Sequence, residues 1–166
     1  MSYYHKDDEC YREKFEDLFG HLFVNSSVQE GDIDENSSDE YIKRLIQDDY
    51  LSNASVCVVL VGPKTYCRKH VDWEISAALN KKVGGYSGLL GLCLPEHPDF
   101  GRDKYNADIV PLRLVDNMKS GYAKFFDWTT DESTIKKRIE EAFQNRINKA
   151  DKIENWRTQY NNDKCE

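Results

Sequence analysis

Residues 55–61 read SVCVVLV and run directly into GPKTYCRKHVDWEISAALNKK at 62–82. A continuous apolar, β-branched run fits a strand buried on both faces, as parallel sheets require. Gly62-Pro63 ends it. The second half of the following stretch predicts a helix, with Val71, Ile75, Ala78 and Leu79 on one face and Gly84-Gly85 closing it. Working outward, LLGLCL at 89–94 reads as a second buried strand and YAKFFDW at 122–128 as another. Residues 131–149 predict a helix, with Ile135, Ile139, Phe143 and Ile147 in register. Upstream, Tyr11, Phe15, Leu18, Phe19 and Leu22 mark a helical face over 8–22. A short extended piece at 22–28 and a polar loop, EGDIDENSS at 30–38, come next. Ser38 then caps a helix to about residue 51, with Tyr41, Ile42, Leu45 and Ile46 inward. Residues 95–120, with three prolines, read as a long irregular segment. Helices alternating with apolar strands give the α/β doubly wound pattern. Such folds open on a central strand. Here MSYY is its stub, or the start lies upstream.

At 166 residues the chain is expected to form one domain, over 1–150, followed by a charged tail at 151–166 that is expected to fray or form a short helix after Lys152. With 39% hydrophobic and 12% aromatic residues it is not a disordered chain. The net charge of −7 argues against a nucleic-acid partner, whose binding surface is usually basic. No run approaches the roughly 18 apolar residues of a membrane span. The opening MSYYHKDDEC is too polar for a secretory signal. The five cysteines, Cys10, Cys57, Cys67, Cys93 and Cys165, are odd in number and match no disulfide or zinc spacing. They predict a reducing, cytoplasmic setting.

Most familiar motifs are excluded. GGYSG at 84–88 lacks the lysine of a phosphate loop and precedes a strand. GxGxxG and G-x-S-x-G are absent. Asp32, Asp34 and Asn36 imitate the start of a calcium loop, but Ser37 and Lys43 occupy its glycine and glutamate positions. Cys67 and His70 have no second pair to complete a zinc site. A receiver-type phosphorylation site needs an aspartate ending the 55–61 strand, and none is there. No metal site or resident cofactor is expected. What remains is Glu74, read as lying in the first turn of a helix just past a buried strand. Either it does chemistry there, or with Asp72 it complements the helix dipole.

VCVVLVGPKTYCRKHVDWEISAALNKK resembles the strand–loop–helix centre of TIR-like domains, in the bacterial branch of Thoeris antiphage systems. MSYYHKDDECYREKF resembles the family's opening, and PLRLVDNMKSGYAKFFDW its later arginine, asparagine and Gly-Tyr…Asp-Trp pattern. The resemblance implies a flavodoxin-like three-layer sandwich with a mostly parallel sheet. It also implies cleavage of the nicotinamide–ribose bond of NAD, with NAD as substrate. The product would be linear or, by expectation, cyclic ADP-ribose, signalling to a separate effector protein. Self-association is a further expectation.

The family's catalytic glutamate falls on Glu74. Its opening loop falls on Tyr3, Tyr4 and His5, and the loop after its second strand falls around Asp34. Many catalytic members carry a tryptophan four residues before the glutamate, where this chain has His70. Trp73 or Tyr66 would then take the nicotinamide-stacking role, and Asn117 would orient the substrate. The alternative is a non-catalytic TIR-like interaction module, because a fold alone does not give function.

Overall fold

The computed structural model describes residues 1–22, 38–40, 43 and 55–165. The pieces expected at 22–28 and 30–38, and most of the helix expected from Ser38 to 51, lie outside them. In order come α1 (His5–Phe19), β1 (Val56–Val61), α2 (Lys69–Ala78), β2 (Gly88–Cys93), α3 (Leu112–Ser120), β3 (Lys124–Asp127) and α4 (Glu132–Asn148).

The strands form a parallel sheet in the order β1-β2-β3. Val56 sits opposite Gly88, and Leu90 opposite Lys124. The opening residues extend this sheet. Ser2 donates to the Val58 carbonyl at 2.8 Å and accepts from Leu60 N at 2.9 Å. Ser55 and Val61 turn their carbonyls to the β2 side. Backbone groups alternate along a strand, so Ser2 pairs on the edge of β1 away from β2. Ser2 thus forms a single parallel bridge to Val59 on that edge.

The same alternation explains the apolar run. Cys57, Val59 and Val61 face a core with Val71, Ile75 and Ala78 of α2, Leu79 just after it, and Leu114 and Val115 of α3. Val58 and Leu60 face the opposite core, with Tyr11, Phe15 and Phe19 of α1, and Ile135 and Ala142 of α4. The molecule is thus a three-layer α/β sandwich of flavodoxin-like, TIR-like type, with helix pairs on both faces.

Three expectations change. The segment 95–120 is not wholly irregular, because α3 occupies its second half and ends on Gly121 in the left-handed region, at φ +86°. Its helical signal is short and follows Pro111, which hid it. Cys67 and Cys165 form a disulfide, 98 residues apart, contrary to the all-thiol reading. No local spacing rule reaches that far. Residues 153–165 do not fray as a charged end would. They lie as an extended strap along α2 and α3.

Candidate active site

Parallel sheets gather loops beyond the carboxyl ends of their strands. Here these include the turn from Tyr3 to His5, after the Ser2 bridge, and the loop from Gly62 to Arg68, after β1. Asp8, at the start of α1, ties them together. Its carboxylate accepts from Thr65 Oγ1 at 2.9 Å, and Thr65 Oγ1 accepts from Gly62 N at 2.8 Å. A Cβ on Gly62 would stand 2.1 Å from the Asp8 carboxylate, so only glycine permits this approach. Burial pushes the Asp8 carboxyl up to about 6. The guanidinium of Arg68 lies 3.8 Å over the Tyr4 ring, a second link between the two loops.

Glu74 lies on α2 behind these loops and is 4% exposed. It is the sixth residue of the helix, in the second turn rather than the first. The helix-terminal field fades within the first turn, so the dipole reading does not apply to Glu74. Asp72 holds the first-turn place. Burial raises the Glu74 carboxyl to about 7, against the opposing pull of the Ser2 hydroxyl and the amino-terminal charge. Among the described residues, Glu74 Oε2, Ser2 Oγ and His70 Nε2 are buried without a well-formed hydrogen bond, as are Glu9 Oε2, Arg68 Nε and Arg146 Nε elsewhere. Native interiors rarely leave such groups unpaired, and functional sites are where they do.

The opening residues close around this carboxylate. Tyr3 is buried and stacks on His5 with ring centroids 4.4 Å apart. Its hydroxyl is pushed well above its ordinary range by burial and by Glu9, with Glu74 adding a smaller electrostatic push. His70 is held below its usual value by burial first and by Lys69 second, with His5 also within electrostatic reach. The structure thus brings together Tyr3, His5, His70 and Glu74, and adds Ser2. Sequence reasoning missed Ser2 because its signal is only a backbone pairing.

Trp73 and Asn117 are differently engaged. The Trp73 indole is buried and donates Nε1–H to the Tyr160 carbonyl at 2.8 Å. Asn117 Nδ2 donates to the Arg113 and Glu154 carbonyls at 2.8 and 2.7 Å, and its Oδ1 accepts from Glu154 N at 3.0 Å. Both side chains are committed to anchoring the strap. Tyr4 and Tyr66 are half-buried in the two loops. Asp34 lies outside the described residues.

A parallel three-layer sandwich with a buried glutamate behind its strand-end loops defines a TIR-like α/β domain. Residues 1–99 match the family described as Thoeris protein ThsB, TIR-like domain. The chain belongs to this family of antiphage defence. No curated protein and no solved structure matches it significantly.

Proposed function

We propose that the chain cleaves the nicotinamide–ribose bond of NAD in antiphage defence, with Glu74 as the catalytic carboxylate. The observation that carries this is the buried, unpaired Glu74 Oε2 behind the strand-end loops. A buried carboxylate oxygen kept without a hydrogen bond costs stability, and catalytic groups are where proteins bear that cost.

Nicotinamide in NAD is already cationic and leaves without acid assistance. The transition state has oxocarbenium character, as in glycoside hydrolysis. Ionised Glu74 stabilises that developing positive charge and holds the ribose hydroxyls. Water capture gives ADP-ribose. Capture by a group of the same molecule gives a cyclic product, which is the outcome we expect. The product carries the signal to a separate effector, and self-association raises turnover.

The test is release of nicotinamide from NAD, with product mass read by mass spectrometry. Wild type should release it, and Glu74→Ala, folded by circular dichroism, should lose it by at least about a hundredfold. Wild-type turnover should rise as pH passes through about 7, where Glu74 ionises. Equal release by both proteins, or none from dilute, concentrated or lysate-supplemented wild type, returns the reading to a non-catalytic interaction module.

A further inference from the structure

The segment 153–165 makes more specific bonds to α2 than a loose tail has reason to make. Asn155 Nδ2 donates to the Ser76 carbonyl and to Asn80 Oδ1, each at 3.0 Å. Tyr160 N donates to Asp72 Oδ2 at 2.9 Å, while its carbonyl takes the Trp73 indole. Asp163 comes last. Its Oδ1 accepts from Lys69 N, the first residue of α2, at 2.8 Å, and its Oδ2 pairs with Arg68 Nη1 at 2.9 Å. The residue before α2 is Arg68, whose side chain caps nothing. A carboxylate from the far end of the chain therefore supplies the cap that α2 lacks locally. Beyond it, Lys164 N donates to the Cys67 carbonyl at 2.8 Å, and Cys165 is bonded to Cys67.

We propose that the Cys67–Cys165 disulfide is a thiol-sensitive lock on this strap. Oxidised, it holds Asp163 on the first turn of α2 and Tyr160 against Asp72 and Trp73. Reduced, it lets the strap lift from the helix that carries Glu74. Cys67 is fully buried, whereas Cys165 at the end of the strap is half-buried. A reductant therefore reaches the bond from the Cys165 side. The reductant is a dithiol. It gives two electrons and two protons to the Sγ–Sγ bond, which becomes two thiols, and leaves as its own cyclic disulfide. A bond closing so long a loop constrains the chain strongly, and its loss frees the outer end of the strap first, because that end lends no hydrogen bond to the sheet.

The inference stands apart from the NAD reading, and its test needs no activity. The full chain, purified without reductant, is alkylated and its free thiols are counted by intact mass. Amide hydrogen exchange is then followed with and without dithiothreitol. Cys67 and Cys165 should escape alkylation until reduction. On reduction, exchange over 156–164 and over 69–73 should quicken at least about tenfold, with β1 and β2 unchanged. Asp163→Asn keeps both cysteines, and should quicken exchange at 69–73 while the disulfide stays intact. Cys165→Ser should match reduced wild type and ignore dithiothreitol. Ready alkylation of both cysteines before reduction would overturn the proposal. So would strap protection that reduction leaves unchanged. Should Cys165→Ser fail to fold, the reduction arm on wild type still decides.

Discussion

The two sides of α2 follow opposite rules. On the side toward the strap the buried charges of Asp72 and Arg113 are answered. Asp72 takes Arg113 in two bonds, Nε to Oδ1 at 2.9 Å and Nη2 to Oδ2 at 3.3 Å, and takes Tyr160 N as well. Arg113, only 1% exposed, also donates from Nη1 to Asn155 Oδ1 and from Nη2 to the Arg157 carbonyl. On the side toward the opening residues, Glu74, His70 and Ser2 keep buried polar atoms unpaired. One ten-residue helix thus holds a satisfied carboxylate and an unsatisfied one, two positions apart. Satisfaction on one side fixes the helix against the sandwich. That rigidity is what lets the other side hold a raised carboxyl in place with one oxygen unsatisfied.

The comparison breaks most sharply at Asp72. Asp72→Ala strands the buried Arg113 guanidinium and should cost about 3–5 kcal/mol in urea denaturation. A loss under 1 kcal/mol would mean that Arg113 finds water and the strap side is not closed.

Glu74→Gln should do the reverse. The folded carboxyl holds its proton up to about 7, whereas an unfolded glutamate releases it near 4.5. Between those values the folded state binds more protons than the unfolded state. Stability is therefore present at low pH and falls as pH rises. Removing the charge should recover on the order of 3 kcal/mol at pH 8 and nothing below about pH 4.5. Urea titrations of both proteins at the two pH values read this directly. Asp8, raised to about 6 by burial, follows the same sign more weakly, its bond from Thr65 pulling against it.

The smallest effect belongs to Trp73→Phe. It keeps an aromatic six-membered ring, deletes the hydrogen bond to the Tyr160 carbonyl and leaves a small void where the pyrrole ring stood, at about 2 kcal/mol together. That loss should fall in the strap, seen as faster exchange around residue 160, with wild-type protection in β1.

How much of this was legible in the sequence follows from the range of each interaction. β1 was legible because burial on both faces leaves an unbroken apolar run. The inward face of α2 was legible because Val71, Ile75, Ala78 and Leu79 repeat at helical spacing. Glu74 stood out once other motifs failed, and the TIR-like resemblance gave it a role. Its turn of the helix was misjudged because a helix start at Lys69 leaves no cap residue to read: the cap is Asp163, 94 residues away. The Asp72–Arg113 pair spans 41 residues and the disulfide 98, and neither leaves a periodic trace. The docked strap was hidden for the same reason, since its charged residues find their partners only after α2 and α3 have packed.

The central claim is that Glu74 is left unsatisfied for chemistry, and one paired measurement on Glu74→Gln tests it most directly. Nicotinamide release from NAD and urea stability are read on the same sample at pH 8, beside wild type. The account predicts that the variant gains stability and loses turnover. A variant that keeps wild-type turnover, or one that loses stability, would contradict it.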